Sequence, residues 1–177
     1  MHISRLAITS GYSILLIFAP MKILMVCLGN ICRSPLAEGV LRHKVLQAGL
    51  QWTIDSAGTS GHQPGCPPHK LSQKIAKING FDICDQVCRQ LEPNDIDRFE
   101  KIYVMDRENL REAKRIFGSK WDPSKVDMLM NEVYQGKNME VPDPWYGGEE
   151  GYHEVYAMIN KACDAIISKY TILSHIS

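Results

Sequence analysis

Ile23–Val26 is an unbroken apolar run of strand length, suited to a sheet buried on both faces. It leads into Cys27-Leu-Gly-Asn-Ile-Cys-Arg33 and then Ser34-Pro35. Ser34 is placed as a helix N-cap with Pro35 at the first helical position. Leu36, Val40, Leu41 and Val45 follow at helical spacing, and Gly49 closes the helix. Trp52–Ala57 predicts a second strand ending at Gly58, and a Pro/Gly-rich loop occupies Gly61–Pro68. His69–Ile78 has helical spacing, closed by Asn79-Gly80. Ile102–Met105 is a third strand, Glu108–Phe117 a helix ended by Gly118, and Val126–Leu129 a fourth strand. Val141–Gly148 is too rich in Pro and Gly for regular structure. Tyr152–Lys169 is a final helix with Val155, Ile159, Ala162, Ile166 and Ile167 on one face. Strands alternating with helices predict an α/β fold, a parallel sheet with helices on both faces.

A chain of 177 residues, 45% apolar, is long enough for one domain around one core and too hydrophobic to be disordered. Its 20 Lys+Arg balance 20 Asp+Glu, so it lacks the basic excess of an electrostatic nucleic-acid binder. The six cysteines (Cys27, Cys32, Cys66, Cys84, Cys88 and Cys163) show no zinc-site spacing, and a domain of this size needs no disulfide staples. Reduced thiols in a cytosolic compartment, one of them reactive, are expected. Met1–Pro20 stands apart: its apolar part is too short and too hydroxyl-rich to span a membrane. It reads as an upstream translation before a start at Met21, with a weak signal peptide, and hence secretion, as the alternative. Residues 21–177 are then the single domain. The sequence fixes no oligomeric state.

Ligands of open α/β sheets bind beyond the carboxyl ends of strands, beside helix N-termini. Cys27 to Ser34 occupies such a junction. A short loop closed by a helix start can turn successive N–H groups inward as a nest for an anion. Gly29 permits close backbone approach, and Asn30 tolerates positive φ. The planar fork of Arg33 can grip two phosphate oxygens. A Cys27 thiolate there is stabilised by the helix dipole, the amides and Arg33, and the Ser34 hydroxyl can donate to it. C-x5-R-S at a strand–helix junction thus puts a nucleophile on the floor of a phosphate cradle, as covalent phosphoryl transfer requires. Thiol attack on a phosphate ester also needs a proton for the leaving oxygen and then a base for water. Asp143, stiffened by Pro142 and Pro144 and beside Trp145 and Tyr146, is the candidate for both.

Together these residues resemble the low-molecular-weight protein tyrosine phosphatases. The likeness lies in VCLGNICRSPLAEGV from Val26, DSAGT at Asp55–Thr59, Met105-Asp106-x-x-Asn109-Leu110, and DPWYG at Asp143–Gly147. It extends over Met21 to Lys169 and implies a four-stranded parallel sheet, no metal and no organic cofactor. It implies Cys27 as nucleophile, Arg33 as phosphate ligand and transition-state stabiliser, and Asp143 as general acid then base. Leu28, Gly29, Ile31 and Cys32 would supply backbone amides. Asn30, held by Ser56 and assisted by Ser34, would keep the loop in shape. Trp52, Trp145 and Tyr146 would line a slot whose depth favours phosphotyrosine-containing proteins as substrates; Trp52 is equally readable as strand core. Pro-Trp-Tyr follows the acid where Pro-Tyr-Tyr is common, which bears on substrate preference. The resemblance also suggests a reversible Cys27–Cys32 disulfide protecting the nucleophile. His43, His62 and His69 read as packed or solvated.

Two other functions share the anion loop. An arsenate reductase of this fold would carry a redox cysteine pair after the third strand. Here that segment is Met105-Asp106-Arg107, and Cys84 and Cys88, able to share one face of a helical turn, precede the strand. A non-catalytic phosphate-binding module or phosphocarrier would lack Arg33 and Asp143, both of which speed loss of the phosphate.

Overall fold

The computed structural model describes residues 20–61 and 64–173. Of the leader assigned to residues 1–20, all but Pro20 lie outside the described residues, as does His62. The strands are β1 (Lys22–Cys27), β2 (Thr53–Gly58), β3 (Lys101–Val104) and β4 (Val126–Met128). They form one four-stranded sheet in the order β2-β1-β3-β4, every pair parallel. The helices are α1 (Arg33–Gln47), α2 (Lys70–Ile78), the short α3 (Asp95–Arg98), α4 (Arg107–Phe117) and α5 (Gly148–Leu173).

Successive side chains of a strand point to opposite faces, and the apolar run of β1 therefore serves two cores. Ile23, Met25 and Cys27 join residues of α1, α2 and α5 on one side. Leu24 and Val26 join Ile96, Phe99, Ala113 and Phe117 on the other. All of these are at most 4% exposed, which explains why β1 carries no polar alternation. With β1 central, the carboxyl ends of β1 and β3 and the segments after them open on one edge of the sheet.

Besides shifts of a residue or so at other element ends, three differences from the sequence reading bear on the site. First, α1 begins at Arg33 with Cys32 as N-cap and no side-chain capping bond. Ser34 lies inside the helix because its hydroxyl is taken by Cys27 and Asn30 instead. Second, α5 begins at Gly148, four residues before Tyr152, and runs 26 residues. The glycines mark that boundary: Gly148 has φ +63°, and Glu149 and Glu150 in the first turn suit the positive end of the helix dipole. Third, no helix forms over Asp82–Gln90, so Cys84 and Cys88 share no helical face: Cys84 is exposed and Cys88 buried. Among the described residues, no helix is long and apolar enough to cross a membrane.

Candidate active site

The loop between β1 and α1 is shaped by where its carbonyls go. Thr59 N–H donates to Cys27 O and Ser60 N–H to Leu28 O, at 2.9 and 2.8 Å. The Cys88 thiol donates to Asn30 O at 2.6 Å, His69 N–H to Ile31 O at 2.7 Å, and the Ser72 hydroxyl to Cys32 O at 3.1 Å. In a trans peptide the N–H points opposite its carbonyl. Five carbonyls tied to the surrounding chain therefore turn the N–H groups of Leu28, Gly29, Ile31, Cys32 and Arg33 the other way, toward the loop centre. Asn30 takes the left-handed conformation that closes the ring, with φ +54°.

Asn30 is held on every side. Its Nδ2 donates to Ser34 Oγ at 3.0 Å and Ser56 Oγ at 2.8 Å, and its Oδ1 accepts Arg89 N–H at 2.8 Å. Ser56 in turn donates to the buried carboxylate of Glu38 at 2.7 Å. Since Ser34 Oγ accepts from Asn30, its own hydrogen faces two acceptors, the Cys27 sulfur 3.0 Å away and the more distant Ala57 carbonyl at 3.4 Å. Burial pushes the Glu38 carboxyl up to about 6, although the Ser56 hydrogen bond and Arg42 pull the other way.

Arg33 is 3% exposed and comes off the first residue of α1. Its guanidinium donates to Asp106 Oδ2 at 2.6 Å and Val141 O at 3.1 Å, and through its other terminal nitrogen to Asp143 Oδ2 at 3.1 Å. Burial alone would lower its pKa, but Cys27, Asp106 and Asp143 carry it above the ordinary value. It is a fixed cation. Asp106 is itself the N-cap of α4, accepting Asn109 N–H at 2.7 Å, so the partner of Arg33 is anchored to the end of β3.

Asp143 stands on the opposite wall, its side chain 45% exposed. It caps a 3-10 turn, Pro144–Tyr146, accepting Trp145 N–H at 3.1 Å. This turn and the loop enclose a cleft of about 380 Å³ lined by Cys27, Leu28, Arg33, Asp143, Trp145 and Tyr146, among others. The cleft thus brings together Cys27, Leu28, Gly29, Ile31, Cys32, Arg33, Asp143, Trp145 and Tyr146, with Asn30, Ser34 and Ser56 behind it.

Trp52 is the exception and corrects the sequence reading. It precedes β2, at the amino edge of the sheet, whereas the cleft lies past the carboxyl ends of the strands. Its ring packs edge-on to Tyr170 and lines a separate groove with Arg42, His43 and Phe81. Cys27 and Cys32 are both free buried thiols. Burial pushes Cys32 up to about 11, and its sulfur lies 3.2 Å from Tyr152 Oη.

Sequence reasoning missed Ser60 on the cleft wall, Asp106 as the partner of Arg33, Tyr152 beside Cys32, and His69 beside Tyr152. Asp106 carried a signal, its place in the Met105-Asp106-x-x-Asn109-Leu110 segment. The others are distant in sequence and had none.

A family model described as low molecular weight phosphotyrosine protein phosphatase matches residues 22–172. The low molecular weight protein-tyrosine-phosphatase YfkJ of Bacillus subtilis is 36% identical over 149 residues, covering 83% of this chain and 94% of that one. A low molecular weight phosphotyrosine protein phosphatase of Gallus gallus is 36% identical over 150 residues, covering 84% and 94%. The crystal structure of YfkJ matches with a TM-score of 0.79 at 33% identity, over 85% of this chain and 94% of that one. That of a Drosophila arginine phosphatase matches with a TM-score of 0.77 at 31% identity, over 85% and 98%.

Proposed function

The chain belongs to the low molecular weight phosphotyrosine protein phosphatase family, a family of phosphoric monoester hydrolases, and we propose that it dephosphorylates protein phosphotyrosine through a cysteinyl-phosphate. The observation that carries this reading is the amide-lined loop with Cys27 and Ser34 behind it and Arg33 and Asp143 at its mouth.

The phosphate of the substrate sits in the ring of N–H groups and takes the place of Asp143 on Arg33. Asp106 and the Val141 carbonyl keep the guanidinium in position during this exchange. Asp143, released from Arg33 and facing the negative charge of the phosphate, takes a proton from solvent and meets the ester oxygen. The Cys27 sulfur attacks phosphorus, the bond from phosphorus to the phenolic oxygen breaks, and Asp143 gives that oxygen its proton. The Asp143 carboxylate then takes a proton from water, whose oxygen attacks phosphorus as the P–S bond breaks. Ser34 donates to the departing thiolate. The equatorial oxygens stay on the loop amides and Arg33 throughout, where their charge is met by donors already in place. Trp145 and Tyr146 line the same cleft as Cys27 and Arg33, and such aromatic walls suit the flat aryl side chain of phosphotyrosine, which supports this substrate over the shorter phosphoserine. The reading extends to Cys32, which we take as the thiol that closes a reversible disulfide on an oxidised Cys27.

Cys27→Ser abolishes turnover while phosphate still binds; retained hydrolysis removes Cys27 from the mechanism. Asp143→Ala lowers kcat/KM for phenyl phosphate by about 10²–10⁴-fold, and much less for 2,4-dinitrophenyl phosphate, whose leaving group needs no proton. Equal loss on both substrates removes the acid role. Phosphotyrosyl, phosphoseryl and phosphoarginyl peptides compared on one preparation test the substrate class, and a preference for either of the latter two overturns it.

A further inference from the structure

His69 touches three parts of the site at once. Its backbone N–H donates to the loop carbonyl Ile31 O at 2.7 Å. Its ring lies 5.4 Å from that of Tyr152, nearly parallel at 17°, and 5.4 Å from that of Trp145, tilted by 57°. Its Nδ1 accepts Leu71 N–H at 3.3 Å, capping α2, and is 3.0 Å from Tyr152 Oη. A nitrogen that accepts from a backbone amide carries no proton, so the Tyr152 hydroxyl donates to it. The Tyr152 oxygen is then left to accept from the Cys32 thiol.

Tyr152 is 1% exposed and fixed in α5, and His69 is fixed at the start of α2. Trp145 is different: it is 49% exposed, and it belongs to the same 3-10 turn that Asp143 caps. The imidazole is thus a wall between a rigid phenol and a half-exposed indole two residues from the acid. An aromatic contact of this kind limits where the indole can go, and with it the turn.

We propose that His69 is a positioning residue for the reaction, its ring holding the Asp143–Tyr146 turn over the phosphate loop through Trp145. The inference rests on Asp143 being the general acid. It assigns His69 two separable tasks: the ring orients the acid turn, and Nδ1 caps α2 and orders Tyr152.

The test uses His69→Ala, His69→Phe, His69→Asn and Asp143→Ala in the full chain, each assayed on phenyl and 2,4-dinitrophenyl phosphate and for inhibition by inorganic phosphate. His69→Ala should lower kcat/KM for phenyl phosphate about tenfold and leave the dinitrophenyl ester and phosphate inhibition nearly unchanged. His69→Phe, which keeps the ring and loses the cap, should restore the phenyl phosphate rate. His69→Asn, which keeps a capping oxygen and loses the ring, should behave as His69→Ala. On an Asp143→Ala background, His69→Ala should add no further selectivity between the two esters. Equal losses on both esters, or failure of His69→Phe to restore the rate while His69→Asn does, overturn the inference. If Asp143→Ala is selective and His69→Ala is not, the inference alone falls. If Asp143→Ala shows no selectivity, the acid role falls and takes the inference with it.

Discussion

Asn30 and Tyr146 belong to the same cleft and are built in opposite ways. Asn30, at its floor, is 1% exposed, and both polar atoms of its side chain are bonded within the protein. Tyr146, at its rim, is 95% exposed. Between them Arg33 is buried on Asp106 while sharing its second nitrogen with the half-exposed Asp143. Recognition of the phosphate is therefore written into the packed interior, where five loop carbonyls are pinned by three segments, at Thr59 and Ser60, at His69 and Ser72, and at Cys88. On the proposed reading, what the phosphate is attached to meets the Pro144–Tyr146 turn, whose Trp145 and Tyr146 are exposed. The floor cannot change without changing the fold, and the rim can.

Asn30→Ala should break the floor most severely. It removes three hydrogen bonds, one of them to Ser34, which lies against Cys27, and leaves a β-carbon in the left-handed region. Lost bonds and strain together should lower stability by about 2–4 kcal/mol. Affinity for inorganic phosphate, read as its inhibition constant, should fall at least tenfold (~1.4 kcal/mol). Asn30→Gly relieves the strain without restoring the bonds, so recovery in Gly would assign the loss to backbone conformation.

Tyr146→Ala is the counterpart at the rim. Stability should stay within about 0.5 kcal/mol, as for an exposed substitution. Phosphate inhibition should not move, while kcat/KM for a phosphotyrosyl peptide drops about threefold to tenfold through lost aromatic contact. If Tyr146→Ala weakens phosphate inhibition, floor and rim are coupled and the contrast drawn above is wrong.

The same contrast separates what was legible in the sequence from what was not. The run Ile23–Val26, the C-x5-R-S loop and the Pro-Asp-Pro turn are local patterns, and local sterics and capping fix their form. The partners that hold them are not local: Asp106 is 73 residues from Arg33, Ser56 is 26 from Asn30, and Tyr152 is 120 from Cys32. Only the sheet order brings such pairs together. Trp52 had two readings, the slot implied by the resemblance and strand core; its position before β2 puts it at the other end of the sheet from the cleft, packed against the core. Ser34 illustrates the reverse. It has the residue type and Pro neighbour of an N-cap, but its hydroxyl is engaged by Cys27 and Asn30, and the helix starts without a side-chain cap.

The smallest effect on turnover concerns Glu38, behind the floor. Its carboxyl is 6% exposed and accepts the Ser56 hydroxyl at 2.7 Å, with Arg42 at 3.0 Å on its other oxygen. Burial outweighs both and raises its pKa from 4.5 in the unfolded chain to about 6. The folded state therefore binds more protons than the unfolded one between these values, and stability falls as pH rises through that window. A shift of this size corresponds to about 2 kcal/mol lost above pH 6, relative to a neutral group in the same place. Glu38→Gln should thus be the more stable protein by about 1–2 kcal/mol at neutral pH, and the gap should close as pH falls to ~4.5. Its phosphatase rate should nonetheless drop slightly. A carboxylate can only accept, which forces the Ser56 hydrogen toward Glu38 and leaves the Ser56 oxygen to accept from Asn30; a carboxamide can turn its N–H toward Ser56 and reverse that order. Urea melts of both proteins from pH 4 to 8 decide the first part. A pH-independent difference would mean that Glu38 is not the titrating group, and a rate in Glu38→Gln equal to that of the parent would mean that the polarity of the serine does not reach the loop.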